Sequence, residues 1–256
     1  MTSVTSGSEP SRLGALYERV YSALCGKHPD YRFWHFQYLF LADMHRWQRA
    51  RMAELKGHVL DVGCGERPYE DWLSRGRDGV TRYTGLDVVP GPRVDIVVGF
   101  GDAWPVESAS VDAALLTQVL EHVADRRHLI GEIARVLRPG GTLLLTVPFI
   151  FPVHGLPHDY ARFTTGGVRV LFEPDFEIVE LAGVGYAGSA IGNLLLTFID
   201  TSLNASRATR LLKGFLLPLW LPFCLLVNLL ARGVDRMDAT GAYSTNVAMI
   251  ARRRPV

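Results

Sequence analysis

The sequence has little cysteine and little net charge. Three cysteines, Cys25, Cys64 and Cys224, are odd in number and widely spaced, so they build neither a disulfide framework nor a zinc ligand set. The formal net charge is +1, which argues against a nucleic-acid partner bound by bulk electrostatics. We therefore expect a reducing, cytoplasmic setting and a partner that is not nucleic acid.

The first dozen residues lack the apolar run that a secretory signal requires, and residues 1 to about 10 are predicted to be a flexible tail. No internal repeat is found. Hydrophobic residues make up 48% of the 256, which excludes global disorder and allows a sizeable core. A chain of this length forms one large domain or one domain with appendages.

Residues 1–56 are predicted to form this tail and a helical cover. A short helix is expected from Leu13 to Leu24, and a second within Tyr31–Leu55. The second has aromatic and methionine residues at three- and four-residue steps along one face, namely Phe33, Phe36, Phe40, Met44 and Trp47. This face is expected to pack on the main domain. The alternative is a lid whose aromatic residues also contact a substrate.

A short apolar run ends at Asp61 and is followed at once by a Gly-x-Gly turn. Gly63 and Gly65 carry no Cβ and accept positive φ, so the backbone there can pass close to a ligand. Pro68 and the amphipathic stretch Tyr69–Leu73 then suggest a helix start. A buried strand, a tight loop and a helix N-terminus are predicted. A lone glycine loop is weak evidence for a nucleotide site, so its meaning depends on the segments that follow.

Strand and helix signals alternate after this loop, which predicts a mainly parallel, doubly wound sheet. Asp87 ends a strand more than 20 residues beyond the loop and is placed to accept hydrogen bonds from ribose hydroxyls. Further strands are predicted at Tyr83–Asp87, Val94–Val98, Ser110–Leu116, Thr142–Val147, Phe176–Leu181 and Thr245–Ala251, with a helix over Arg126–Leu137.

In this order the motifs resemble the class I S-adenosylmethionine-dependent methyltransferases, in the subgroup with many small-molecule, glycan and lipid methyltransferases. The resemblance covers about residues 57–183 and the last strand. It implies an α/β, Rossmann-like, seven-stranded, mainly parallel sheet with helices on both faces and an antiparallel last strand. Arg67 departs from the pattern, because the family's loop usually carries a small residue there. The matching segments are Asp61–Gly65, Gly85–Asp87, Gly101–Asp102, Gln118–Val123 and Arg135–Gly141.

The resemblance implies S-adenosylmethionine as the cofactor. Backbone N–H groups near Gly63 and Gly65, at a helix N-terminus, suit the carboxylate of its methionine part. The other implied contacts are Asp61 near the amino group, Asp87 on the ribose diol, Asp102 on the adenine amino group, Ala103 beside the ring and Gln118 beside the methionine part. The structural alternatives are a loop cap for Asp102 and a solvated turn for Gln118.

A proline-rich loop after the fifth strand should overhang this site. It contains His154, His158 and Tyr160, together with Asp159 and Arg162. A hydroxyl or ammonium nucleophile needs a proton acceptor, and histidine titrates near neutral pH, so the two histidines are the candidate bases and Tyr160 a weaker one. The alternative is that these residues only brace the loop. No metal site is predicted, because glycine and proline separate the two histidines.

Residues 184–241 form an apolar insertion between the last two strands. Gly214–Ala231 has no charge and is flanked by basic residues, but Pro218 and Pro222 would kink it. Three interpretations remain open: a helical cap over the cofactor and substrate, an interfacial element that dips into a bilayer, or a true membrane span, which is disfavoured because the sheet resumes on the same side. Peripheral membrane contact through this segment is therefore considered.

These expectations divide the chain at residues 1–56, 57–183, 184–241 and 242–256. The expected function is methyl transfer to an oxygen or nitrogen of a small, apolar or lipid- or glycan-linked acceptor, in the cytoplasm or at the membrane surface. Three alternatives are a cofactor-binding relative without methyl transfer, a nicotinamide-dependent dehydrogenase and a membrane-associated scaffold.

Overall fold

The computed structural model describes residues 12–74, 76 and 78–255, so the expected N-terminal tail lies outside the described part. The strands are β1 Gly57–Val62, β2 Val80–Asp87, β3 Ile96–Val97, β4 Val111–Thr117, β5 Leu137–Pro148, β6 Phe176–Val184 and β7 Asn246–Arg253. The helices are α1 Arg12–Cys25, α2 Tyr38–Met52, α3 Arg126–Val136, α4 Thr165–Phe172, α5 Ala187–Asn204 and α6 Arg207–Asp235. Glu70–Trp72 and Leu120–His122 are single 3₁₀ turns.

All seven strands belong to one sheet in the order β3-β2-β1-β4-β5-β7-β6. The pairs from β3 to β5 are parallel, and β7 runs antiparallel to both β5 and β6. Near-continuous apolar runs suit the central strands, because a parallel sheet is covered on both faces. Leu60, Leu115 and Leu144, on three neighbouring strands, are fully buried. The predicted fold class is confirmed.

The strand order reverses between β1 and β4, the point at which open α/β sheets bind ligands beyond the carboxyl ends of the strands. Four neighbouring parallel strands, β3, β2, β1 and β4, end at this edge. The candidate cofactor residues follow these four strands, so the topology alone brings them to one edge of the sheet.

The chain divides into two compact units. The sheet unit comprises residues 44–149, 157–184 and 246–256 and contains the whole sheet with α3 and α4. The helical unit comprises the described residues up to 43 together with 150–156 and 185–245, and contains α1, α5 and α6. The first turns of α2 fall in the helical unit and the remainder in the sheet unit.

Two of the predicted helices are shorter than expected. The helix expected within Tyr31–Leu55 begins only at Tyr38, because residues 31–37 form turns in which His35 Nδ1 accepts a hydrogen bond from the N–H of Gln37 at 3.0 Å. The helix expected after the glycine loop is the single 3₁₀ turn Glu70–Trp72. Leu73 is already extended, with ψ 129°, so no helix N-terminus is available to bind an anion there.

The apolar insertion is helical, as expected. α5 and α6 pack antiparallel at very short range: a Cβ built on Gly188 would lie 2.1 Å from the carbonyl oxygen of Ala231, and one on Gly192 would lie 3.1 Å from the Cβ of Ala231. Glycines four residues apart therefore let the backbones approach closely, as in small-xxx-small helix packing. α6 continues through Pro218 and Pro222.

Candidate cofactor and active site

Asp61 is the buried acid at the carboxyl end of β1, with 1% of its surface exposed. The Tyr83 hydroxyl donates a short hydrogen bond to Oδ2, whereas Oδ1 has no hydrogen-bond partner among the described residues. Burial raises the pKa of this carboxyl to about 6, although the Tyr83 hydrogen bond and the charge of Arg67 act to lower it. A buried carboxylate with an unsatisfied oxygen is costly unless a cation or donor meets it.

The glycine loop follows Asp61 directly. Gly63 has φ 73°, and a Cβ there would lie 2.4 Å from Val119 Cγ2, so only glycine fits. Gly65 has φ 48°, and a Cβ there would meet no atom within 4 Å among the described residues, which leaves open space beside the loop. The Gly63 N–H donates to the Leu86 carbonyl at 2.8 Å. The loop thus offers a ligand room to approach, and the Gly63 N–H is already used within the fold.

Asp87 ends β2 and ties the two strand tips together. Its Oδ2 accepts the Gly65 N–H at 2.9 Å, and its Oδ1 accepts the Val89 N–H at 2.9 Å. Each carboxylate oxygen has a second lone pair, so Asp87 keeps the capacity to accept from a diol while it holds the loop.

Asp102, after β3, is exposed and folds back on its own loop, where Oδ2 accepts the Gly99 N–H at 3.0 Å. This contact is the loop cap considered from the sequence. Ala103 beside it is exposed, and Trp104 is buried with its N–H donating to Glu132 Oε2 at 2.7 Å. Exposed Asp102 and Ala103 thus stand on a loop anchored by Trp104.

Gln118, at the tip of β4, is not a solvated turn residue. It is half-buried in a left-handed conformation, φ 56°, and its Nε2 donates to Asn246 Oδ1 at 3.2 Å. Its Oε1 is buried and finds no hydrogen-bond partner in the described part of the chain. The backbone geometry and the unused acceptor are features of residues that meet a ligand.

The side chain of Arg67 lies along β2. Its guanidinium pairs with Asp95 and stands over the Tyr83 ring at 5.1 Å. Gly85 makes room for it, since a Cβ there would lie 2.9 Å from Arg67 Nε. The large residue at a position that is small in the resembling family is therefore accommodated by a missing side chain on the neighbouring strand.

His158 and Tyr160 are exposed and attach to the same edge of the sheet. The His122 Nδ1–H donates to the His158 carbonyl at 2.6 Å, and the Tyr160 N–H donates to the Glu121 carbonyl at 2.9 Å. His158 Nδ1 and the Tyr160 hydroxyl are hydrogen-bonded at 2.9 Å. The His158 ring lies 5.4 Å from that of Phe100, in the loop after β3. The two side chains thus form a pair beside the tips of β3 and β4.

Bracing and candidate catalytic groups alternate in this loop. Arg162 holds Asp159 through two hydrogen bonds, of 2.6 and 2.7 Å. His154 belongs to the helical unit, where its Nδ1 lies 3.2 Å from the Pro152 carbonyl and its ring 5.1 Å from that of Phe151. The two candidate histidines therefore belong to different units.

Glu121 is a buried acid beside the candidate site that the sequence analysis did not single out. Its side chain is fully buried in the 3₁₀ turn after β4, and burial raises its pKa to about 8. His122 Nε2 lies 3.7 Å from Glu121 Oε1. The sequence feature that could have identified Glu121 is an acidic residue within the apolar stretch that follows β4.

Comparison with known proteins agrees with this geometry. Residues 60–145 match the family model of a methyltransferase domain. A probable S-adenosylmethionine-dependent methyltransferase of Mycolicibacterium smegmatis is 38% identical over 99 residues, 35% of this chain and 37% of that protein. A phthiotriol/phenolphthiotriol dimycocerosates methyltransferase of Mycobacterium ulcerans is 33% identical over 109 residues, 38% of this chain and 40% of that protein. The structure of the [4+2]-cyclase SpnF matches with a TM-score of 0.54 at 19% identity, covering 84% of this chain and 83% of that one.

The sheet order and the glycine-loop site define a Rossmann-like methyltransferase fold. Residues 60–145 match a methyltransferase domain, and this part of the chain is similar to S-adenosylmethionine-dependent methyltransferases. The matches span less than half the length of these two curated relatives, so they identify the domain and not the acceptor.

Proposed function

We propose that the chain transfers a methyl group from S-adenosylmethionine to an oxygen or nitrogen of a small, apolar or lipid-linked acceptor, in the cytoplasm and at a membrane surface. The observation that carries this proposal is the buried Asp61 carboxylate, whose Oδ1 has no hydrogen-bond partner among the described residues, at the start of a loop that has open space at Gly65. An ammonium group is the partner that a buried carboxylate needs. The amino acid part of the cofactor has one.

The remaining cofactor contacts are proposed from strand order and free acceptor capacity. Asp87 would hold the ribose diol and Asp102 the adenine amino group, each with the lone pairs that its backbone contacts leave unused. Ala103 would lie beside the ring, and Gln118 beside the methionine part, where its Oε1 can accept a hydrogen bond. Because Gly63 and Gly65 have no side chain, the cofactor would approach the backbone closely at these two positions.

The cofactor supplies an electrophilic methyl group on a sulfonium. The protein's part is to align the acceptor and to take its proton as the new bond forms. His158 is our leading candidate base: Tyr160 engages its Nδ1, which leaves Nε2 to face an acceptor. Tyr160 would orient the ring, and His154 remains a second candidate base.

The apolar or lipid-linked acceptor is proposed on two grounds. The helical unit exposes many large apolar side chains, among them Phe198 at 68% and Phe215 at 84%. One relative is named as a methyltransferase of phthiotriol and phenolphthiotriol dimycocerosates. Incubation with labelled donor should therefore place label in a lipid extract in preference to an aqueous extract. Failure to bind either the donor or its demethylated product in calorimetry would overturn the proposal.

A second candidate function is chemistry other than methyl transfer on the same fold. This candidate is considered because the [4+2]-cyclase SpnF has a similar structure, and one fold can carry different reactions. Donor binding without label transfer to any extract would support this candidate.

The His158 and Tyr160 pair gives a direct test of the base. His158→Ala is expected to lower kcat by about 10²–10⁴ with donor affinity unchanged, because a positioned base contributes about that much. His158→Asn keeps a hydrogen-bonding group for Tyr160 but cannot act as a base. If His158→Asn restores activity, the ring only braces the loop and His154→Ala becomes the variant to measure.

A further inference from the structure

α6 exposes an uninterrupted apolar surface. At 100° per residue the exposed positions cover roughly half of the helix circumference over about 30 Å. None carries a polar side chain. These exposed positions between 211 and 230 are Leu211, Leu212, Gly214, Phe215, Pro218, Leu219, Pro222, Phe223, Leu225, Leu226, Leu229 and Leu230.

Within this apolar stretch, the polar side chains Lys213 and Asn228 point the other way. Lys213 is buried, with its Nζ 2.7 Å from Asp200 Oδ1 on α5. Asn228 is fully buried and donates to the carbonyls of Phe33 and His35 at 2.5 and 3.2 Å. Between residues 211 and 230 the helix therefore presents its apolar half outward and these polar groups inward, the reverse of a helix that faces water.

This inverted helix needs a non-aqueous neighbour. Soluble monomers rarely expose contiguous apolar patches of more than a few hundred Å². By length and composition α6 is also long and apolar enough to cross a membrane from Ala208 to Asp235; an 18-residue window within it has a mean hydropathy of 2.0 and is only 28% buried. α5 adds an exposed stripe of its own, Ile191, Leu194, Leu195 and Phe198.

The chemistry of the surface favours lipid over protein. Protein interfaces carry about one hydrogen bond per 100–200 Å² and are enriched in tyrosine, tryptophan and arginine, none of which occurs among these exposed positions. Exposed arginines, Arg210 and Arg236, stand at the two ends of the apolar stretch, where anionic headgroups would attract them.

Other residues of the helical unit favour an in-plane orientation. α1 exposes Glu18 and Arg19, and α5 ends with exposed Thr201 and Ser202, so this unit is not surrounded by hydrocarbon. We propose that the exposed face of α6 docks on a lipid bilayer and lies in the plane of the boundary between headgroups and acyl chains. This proposal does not depend on methyl transfer.

Flotation with vesicles tests the docking. The full chain should float with vesicles of phosphatidylcholine and phosphatidylglycerol at 3:1, and less strongly with phosphatidylcholine alone. The double substitution Phe215→Gln and Leu219→Gln, at 84% and 69% exposure, should lower partitioning at least about tenfold. Val170→Gln on α4 is the matched control, with a 73% exposed valine in the sheet unit, and should float like the unmodified chain.

Three outcomes would overturn the proposal. In the first, the chain does not float. In the second, the double variant floats as well as the control. In the third, light scattering shows that the unmodified chain is an oligomer and the double variant a monomer, and neither floats with vesicles. A second copy of the chain would then cover the exposed face of α6. Binding of the demethylated product, measured on the same samples, tests the proposed function separately.

Spin labels report the orientation. The native cysteines are buried, so Leu211→Cys, Leu219→Cys and Leu229→Cys can be labelled selectively. An in-plane helix predicts the same shallow depth at all three positions from oxygen and nickel-chelate relaxation. A depth that changes steadily along the helix would indicate a span and overturn the in-plane statement.

Discussion

The ionised form of Asp61 lowers the stability of the fold, but it is the form that would bind the ammonium group of the cofactor. Its folded pKa, about 6, lies above the ordinary 3.8, so the folded protein holds a proton that the unfolded chain releases. The resulting stability is present below pH 3.8 and is lost as the pH rises to about 6. A residue that costs stability at neutral pH is expected where a ligand needs its charge.

The substitution Asp61→Asn should change stability and affinity for the methyl donor in opposite directions. At pH 8 we expect its free energy of unfolding without cofactor to exceed that of the unmodified chain by roughly 1–3 kcal/mol, because a buried charge is removed. We expect donor affinity to fall at least about tenfold, because a charge-assisted contact is lost. Denaturant unfolding and calorimetry measure the two effects. The exposed Asp71→Asn is the control, and equal donor affinity in both variants would contradict the assignment.

The pKa of Glu121 is shifted in the same direction as that of Asp61, and stability should therefore depend on pH in the same way. Burial raises its folded pKa from 4.5 to about 8, so its contribution to stability is present below pH 4.5 and is lost as the pH rises to about 8. Glu121→Gln should remove this slope, roughly 1.4 kcal/mol per pH unit, with most of the gain in stability seen at pH 8. Chemical unfolding at pH 5, 6.5 and 8 measures it. Parallel pH profiles for variant and unmodified chain would show that Glu121 ionises normally.

At the scale of elements, the α5–α6 pair depends on a backbone approach that few side chains permit. Gly188→Ala would place a Cβ 2.1 Å from the Ala231 carbonyl oxygen, and main chain cannot give way cheaply. We expect a loss of about 2–3 kcal/mol in the free energy of unfolding, by analogy with overpacked cores. Thermal and chemical denaturation measure it.

Gly233→Ala in α6 is the matched control. A Cβ there would meet no atom within 4 Å among the described residues, so helix propensity alone should decide, with a gain of about 0.5–1 kcal/mol. Equal stabilisation by both substitutions would mean that helix propensity, and not packing between α5 and α6, governs Gly188.

At the scale of the whole molecule, a bound cofactor should stabilise the fold by mass action. S-Adenosylhomocysteine at about 100 times its Kd should add about 2.7 kcal/mol and raise the Tm by several degrees. A calorimetric scan measures this, and because the chain divides into two units, the shift should be sought in each transition separately. Asp61→Asn should show a smaller shift. A shift with a nicotinamide dinucleotide and none with S-adenosylhomocysteine would favour a dehydrogenase.

Much of the sheet unit was predictable because its signals are local. Each strand is a short apolar run, and the polar residue that follows it marks a tip, so the order of Asp61, Asp87, Asp102 and Gln118 along the chain already implied one edge. The prediction of a helix after the glycine loop was wrong, because the chain there makes a single 3₁₀ turn and is already extended at Leu73. Local periodicity does not fix how soon a short amphipathic segment must end.

The sequence by itself determined the seven-stranded fold, the resemblance of its central part to a methyltransferase domain and the strand tips that carry the candidate cofactor residues, since apolar runs and turn residues act over a few positions. Only the tertiary structure decided that Arg67 lies over Gly85, that Glu121 is buried and that Lys213 and Asn228 of α6 face inward. Such features depend on contacts between residues that are not neighbours in the sequence, for example Lys213 with Asp200 and Tyr83 with Asp61. The physical reason is that burial and partner choice, which set charge and polarity, are properties of the packed chain and not of any one segment.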